Sequence, residues 1–409
     1  MVKVLLLSHI FPPAVDGGSR VVHQLGQYFA SQNFDTIYLS SDCSSTDDFV
    51  KSNYRPSRQL TSQIKLPVYH RLRRPLKLIN LFLPQKTYLH GLLSVFQKGP
   101  VFRFFPFLKS IFTVLKFKPD YIVAGPLPTT IIWYAHIFKH LLKKLSRHQV
   151  KILINASFHV SDPDFHQLPL IRSLRHSDYI WTLSQFETDY FIHHLHLPPK
   201  KIILAGNGVN SGFIKKTTTP NRLKPNQPIN LLFIGSISAH KGLDTLIDSF
   251  SYLISQKNSP HFRLIIAGQK TLYYPIIKQK ISSLPKPFST KIKFIFDFPQ
   301  SRLKYLIDNS YTLILPSRHE SFGLVIIEAW ARGKPVITSN IATLSELVSR
   351  AKGGLTFKLN NHLDLSSQII KLVSSPQTAF KLGQNGKKYV KNNYLWTKVG
   401  QKICQKLLS

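Results

Sequence analysis

The chain predicts an α/β protein made of two Rossmann-like, doubly wound domains, and three observations lead there. The segment from Tyr311 to Asn340, YTLILPSRHESFGLVIIEAWARGKPVITSN, runs apolar strand, polar loop, helix and apolar strand in succession. That is a βαβ unit, and it implies a parallel sheet. The same alternation of short apolar runs with helical stretches recurs on both sides of a polar, Pro- and Thr-rich connection at 214–229. Finally, 409 residues are long for one core and natural for two domains of about 200 residues each.

The elements follow in order. Lys3 to Ser8 is apolar and β-rich, so it opens the first half as a strand. FPPAVDGGSR comes next, where Pro12, Pro13, Gly17 and Gly18 form a loop able to bring backbone close to a ligand. A helix over Val21 to Ala30 then offers its first amides to an anion or a sugar. Strands are expected at Asp35–Ser40, Asp120–Ala124, Lys151–Ser157, Tyr179–Ser184 and Lys201–Leu204. Helices are expected at Thr130–Leu145 and Gln185–His194. GNGVN at 206–210 turns into the connection. In the second half, strands are expected at Leu231–Ile234, His261–Ala267, Lys291–Phe296, Tyr311–Leu315 and Val336–Thr338. Helices begin at Leu243, span Gln300–Asp308, and span Leu324–Arg332, the last stopped by Gly333 and Pro335. From Asp364 onward the chain reads as helical and ends in a long basic helix containing Trp396.

Composition narrows the class. With 43% hydrophobic and 18% charged residues the chain is globular rather than disordered. Cys43 and Cys404 lie near opposite ends, which excludes a disulfide framework or a thiolate metal site and fits a reducing cytoplasm. The apolar run in MVKVLLLSHIFPP is too short for a secretory signal and reads as a buried strand. Tyr121 to Phe138 is interrupted by Gly125, Pro126 and Pro128, so it is not a membrane span.

Charge is the second unusual fact. Lys and Arg number 54 against 19 acids, for a net charge of +35. Between Asp48 and Asp162 the one acid is Asp120, and this region carries KLPVYHRLRRPLKLINLFLP and VFRFFPFLKSIFTVLKFK. Basic residues interleaved with Phe, Leu and Ile suit an anionic membrane surface, where each Lys or Arg contributes about 1 kcal/mol. Nucleic acid also rewards basic, aromatic patches. It is the weaker partner here, because Leu and Phe outnumber stacking, hydrogen-bonding residues and no recognition motif is present.

The chemistry concentrates beyond the carboxyl ends of the strands, where open parallel sheets bind ligands. Glu320 falls in the loop after one strand, and Glu328 lies eight residues on, near the start of the next helix. Carboxylates accept hydrogen bonds from sugar hydroxyls. The amides of Ser321, Phe322 and Gly323, taken as the helix's first turn, would receive a phosphate. His159 follows the apolar strand ILINASF and lies at its carboxyl end. Asp162 and His166, in the same loop, are weaker candidates on the acceptor side, and Glu187 reads as structural. Asp162-Pro-Asp164 is the one Asp-x-Asp spacing, and it lies in the first half, so no divalent cation cradle is expected beside the Glu pair.

The run HESFGLVIIEAWARGKPVI resembles the donor-site signature of retaining family 4 glycosyltransferases, with two Glu eight positions apart and Ser-Phe-Gly after the first. FPPAVDGGSR resembles their N-terminal glycine loop, and FIGSISAHKGLDTLIDSF resembles the start of their second domain. The resemblance covers nearly the whole chain. It implies the GT-B fold, two Rossmann-like domains facing each other across a cleft. Residues 1–210 would bind the acceptor, residues 211–384 the nucleotide-sugar donor, and a C-terminal helix at about 385–409 would pack back onto the first domain. Glu320, Lys241 and His159 would be catalytic. Glu328, Ser321, Phe322, Gly323, Gly235 and Ser236 would bind the donor, with Glu328 on the ribose, and Gly17 and Gly18 would form the acceptor and phosphate loop.

There is one departure. The family has Arg directly after the first glycine, and this chain has Ser236, so donor charge falls on Lys241, the Ser321–Gly323 amides, and Arg318 or His240. The implied reaction is retaining transfer of a hexosyl group from a nucleotide-diphosphate sugar to a lipid-linked or polysaccharide acceptor. It would need no metal or other cofactor and would run on the cytoplasmic face of the membrane. Two alternatives carry different expectations. A non-catalytic basic binder of nucleic acid or anionic polysaccharide would be indifferent to Glu320 and Glu328. A sugar-nucleotide epimerase of the same fold would lack the Glu pair with Ser-Phe-Gly.

Overall fold

A computed structural model describes residues 1–10, 17–40, 68–69, 101–102, 104–215, 227–296 and 298–409. The Pro12–Pro13 part of the glycine loop, the basic stretch at 65–84 apart from Val68–Tyr69, and most of the connection at 214–229 lie outside the described residues. Two compact units are present. One comprises Met1–Gly206 with Val399–Ser409, the other Asn207–Lys398.

The first unit is built on a parallel sheet of β1 (Lys3–Ser8), β2 (Asp35–Ser40), β5 (Tyr121–Gly125), β6 (Lys151–Asn155), β7 (Tyr179–Thr182) and β8 (Ile202–Leu204), in the order β2-β1-β5-β6-β7-β8. β3 (Val68–Tyr69) and β4 (Val101–Phe102) form a separate antiparallel pair. Every residue of β5 is buried, as a central strand covered on both faces requires. The helix Ile131–Ser146 buries Ile131, Ala135, Phe138 and Leu142, one stripe at helical spacing. Register shifts would be costly here, because Leu5 pairs with both Ile37 and Ile122 in an all-apolar layer.

The second unit repeats the plan with β9 (Ile229–Ile234), β10 (Phe262–Gly268), β11 (Ile292–Phe296), β12 (Thr312–Leu315), β13 (Val336–Ser339) and β14 (Gly354–Phe357). The order is β11-β10-β9-β12-β13-β14, all parallel. The strand order therefore reverses between β9 and β12, and the loops leaving their carboxyl ends border a topological switch point.

Several expectations shift. The first helix begins at Gly17 and runs to Ser31, so Gly17 and Gly18 open a helix rather than close a loop. β6 stops at Asn155 instead of Ser157, because Ser157 adopts φ +43°, which no strand accommodates. The C-terminal run is three helices, His362–Ser374, Pro376–Asn393 and Trp396–Leu408, rather than one long terminal helix. Residues 385–398 belong to the second unit, and only Val399–Ser409 joins the first. The cause is packing: a Cβ on Gly386 would stand 2.2 Å from Trp330, so the helix Pro376–Asn393 lies directly on the indole of the helix Leu324–Ala331. Strand β14 and the helices Phe104–Phe117, Leu168–His176, Tyr274–Ser282 and Ala342–Ala351 were not anticipated.

Candidate active site

In the second unit the residues gather at the β9/β12 switch point. β9 ends at Ile234, and Gly235 and Ser236 begin a loop that tightens into a turn at Ala239–Lys241 before the helix Leu243–Ser255. β12 ends at Leu315 and hands over to the loop bearing Arg318, Glu320 and Ser321. The two loops meet through an ion pair. Lys241 Nζ donates to Glu320 Oε2 at 2.6 Å, with the two side chains 15% and 12% exposed. Such burial makes the pair an organised feature rather than a solvated contact, because a partly dry ion pair needs good geometry to offset its desolvation. The backbone of Glu320 is anchored as well, since Thr343 Oγ1 donates to its carbonyl at 2.8 Å.

A second clasp lies beside the first. Arg318 donates from Nη2 to Asp244 Oδ2 at 2.6 Å, from Nη1 to the Ala239 carbonyl at 2.6 Å and from Nε to Asn360 Oδ1 at 2.9 Å. Its own backbone N–H donates to the His240 carbonyl at 2.7 Å. Burial alone would raise the Asp244 carboxyl, but the Arg318 guanidinium holds it below the usual carboxylate range. The same bond raises Arg318 above its ordinary value. Arg318 therefore spends three of its five N–H donors within the protein, one from each nitrogen. Gly242 completes the junction: at φ +65° it brings its Cα so near β12 that a Cβ would lie 2.1 Å from the Pro316 carbonyl oxygen.

The amides of Ser321, Phe322 and Gly323 do not form the first helical turn. The helix begins at Leu324, and Gly323 precedes it at φ +83°, outside helical geometry. The Phe322 ring is buried edge-on against Tyr394, with centroids 5.2 Å apart, so this residue offers a ligand its backbone only. Glu328 is the fifth residue of the helix Leu324–Ala331 and is 4% exposed, against the solvated charge expected of a random helix Glu. Ser236 Oγ lies 3.2 Å from Ser238 Oγ, and Ser238 Oγ lies 3.4 Å from His240 Nε2, a short polar chain where the family pattern has an Arg.

In the first unit, His159 lies four residues beyond the end of β6, its ring stacked on Phe165 at 4.8 Å. The preceding residue is pinned from below. Glu187, fully buried, accepts from the Phe158 N–H at 2.8 Å and the Leu183 N–H at 2.5 Å. Ser184 caps the same helix by accepting from the Glu187 N–H at 3.1 Å, one half of a capping box. Burial pushes the Glu187 carboxyl up to about 8, against the pull of those amides. His166 Nε2 reaches the Val160 carbonyl at 2.6 Å and therefore donates, leaving Nδ1 to accept from Tyr190 Oη at 3.1 Å. His166 is thus committed to internal bonds. Gly18 is required by packing: a Cβ there would stand 2.4 Å from Pro126, in the loop after β5.

Sequence reading missed Asp244, Asn360 and Thr343, which act through the loops rather than in a recognisable spacing. The one signal for Asp244 was its place as the second residue of a helix following Lys241.

Two units, each built on a six-stranded parallel sheet flanked by helices, make the GT-B fold. Residues 215–389, less than half of the chain, match the family Glycosyl transferases group 1. An uncharacterized glycosyltransferase of Methanocaldococcus jannaschii is 30% identical over 167 residues, 41% of this chain and 44% of that protein, so the alignment spans less than half of that relative. Glycogen synthase of Mycobacterium tuberculosis is 23% identical across 100% of this chain and 94% of its own. Among solved structures, Anabaena Alr3699/HepE in complex with UDP and glucose superposes with a TM-score of 0.70 at 16% identity, covering 100% of this chain and 99% of that one.

Proposed function

We propose that the chain transfers a hexosyl group, with retention of configuration, from a nucleotide-diphosphate sugar to a lipid-linked or polysaccharide acceptor at a membrane surface. The observation that carries this reading is the Lys241–Glu320 pair at the β9/β12 switch point. An ammonium has three donors. One goes to Glu320, and the others are available to a diphosphate. As the glycosidic bond breaks, charge grows on the departing phosphate, so a fixed amine stabilises the transition state more than the ground state. Lys241 would then serve without a metal ion, helped by the Ser321–Gly323 backbone. Glu320 would accept from sugar hydroxyls, Glu328 would hold the ribose, and His159 would contact the transferred sugar. Gly17 and Gly18, at the start of the first helix, would face acceptor or phosphate.

The polysaccharide half of the acceptor proposal follows the likeness to glycogen synthase. The membrane half rests on the helix Phe104–Phe117, where Phe112 is 70% exposed between exposed Lys109 and Lys116, three and four residues away. Among the described residues no helix is long and apolar enough to cross a membrane. A screen of nucleoside diphosphates by thermal shift tests the donor site. The matching diphosphate at a hundred times its dissociation constant should stabilise the protein by about 2.7 kcal/mol. No stabilisation by UDP, GDP, ADP, CDP or dTDP would remove the reading.

A further inference from the structure

We propose that Arg318, with Asp244 and Asn360, is a positioning residue that sets the Lys241 amine relative to Glu320. The inference rests on the donor-site reading above and deepens it. Lys241 sits at the end of a three-residue turn that is too short to hold itself, and its flanking residue Gly242 is in a left-handed conformation. Two consecutive carbonyls of that turn, Ala239 and His240, both receive hydrogen bonds from Arg318, one from the side chain and one from the backbone. The same guanidinium grips Asp244 in the first turn of the following helix. The turn is therefore held on both sides of Lys241 by one residue, and that residue lies two positions before Glu320 in the opposite loop.

A planar fork with donors in fixed directions suits this task. A lysine at 318 would carry its donors on a single nitrogen and could not reproduce the three directions of the fork. Asn360, at φ +59° beyond β14, closes the third arm and keeps the guanidinium plane from turning. The arrangement makes one partly buried ion pair the template for another. It also explains how a chain with Ser236 in the phosphate loop can rely on a single amine: the amine's backbone is clamped, so little ordering remains to be done when the donor arrives.

A double-mutant cycle tests the assignment, with UDP as probe and GDP and ADP in parallel, each beside its monophosphate. In the otherwise unaltered protein, Arg318→Ala should weaken diphosphate binding and lower kcat/KM by about 10- to 100-fold, while monophosphate affinity stays within about threefold. In a Lys241→Ala background, Arg318→Ala should change neither by more than about threefold, because sites acting as a unit are not additive. Arg318→Lys and Asn360→Ala, which keep charge or most of the contacts, should give intermediate losses and serve if Arg318→Ala does not fold. Equal losses in both backgrounds, or equal losses for mono- and diphosphate, would overturn the positioning role. A Lys241→Ala protein that binds diphosphate as well as the unaltered protein would instead overturn the donor-site reading itself.

Discussion

Glu187 shows what a single buried carboxyl can do. It receives the amides of Phe158 and Leu183, and so ties the segment leading to His159 to the cap of the helix Gln185–His193. Its folded value, raised to about 8 by burial, lies above the ordinary carboxylate value of 4.5. Between those limits the folded state holds the proton more tightly than the unfolded chain does. Stability from this group is therefore complete below about pH 4.5 and is lost as pH rises toward 8. Glu187→Gln cannot titrate and has one acceptor where two amides need accepting, so it should be less stable at every pH. The gap in Tm between the unaltered protein and Glu187→Gln should be widest near pH 5 and shrink toward pH 8. A gap that stays constant across that range would contradict the assignment. The sequence marked Glu187 only as structural, since its reach to the Phe158 amide 29 residues away leaves no local spacing.

At the level of elements, legibility followed the apolar pattern. β1, β2 and the helix Gln300–Asp308 occur where the sequence placed them, because each is a clean run of one periodicity bounded by turn or cap residues. Strand β14, GLTF, was missed: it opens on a glycine, has no alternation, and joins the sheet only because β13 presents a free edge. The helix Ala342–Ala351 lacks a side-chain cap, since Ile341 occupies that position. The site divided in the same way. Glu320 and Lys241 were visible as chemistry at strand ends, and the structure brings them to 2.6 Å. The Arg318 clasp was not visible, because its partners lie 74 residues away in the first turn of a helix and 42 residues away in a loop. Such long-range pairing leaves no local signature.

For the whole molecule, charge and catalysis make separate demands. The net charge of +35 is far beyond what one diphosphate needs. If it serves an anionic surface, the protein should co-sediment with vesicles containing phosphatidylglycerol and not with phosphatidylcholine alone. The binding should weaken as salt shortens the screening length from about 10 Å at 0.1 M to about 3 Å at 1 M. Equal binding to both vesicle types would remove the membrane proposal and leave the donor site standing.

The proposed donor site answers to one kinetic measurement, the kcat/KM for sugar transfer by Lys241→Ala against the unaltered protein. Loss of a fixed donor at a developing negative charge should lower it by about 100- to 1000-fold. A value within about threefold of the unaltered protein would mean that the amine held against Glu320 does not grip the activated sugar.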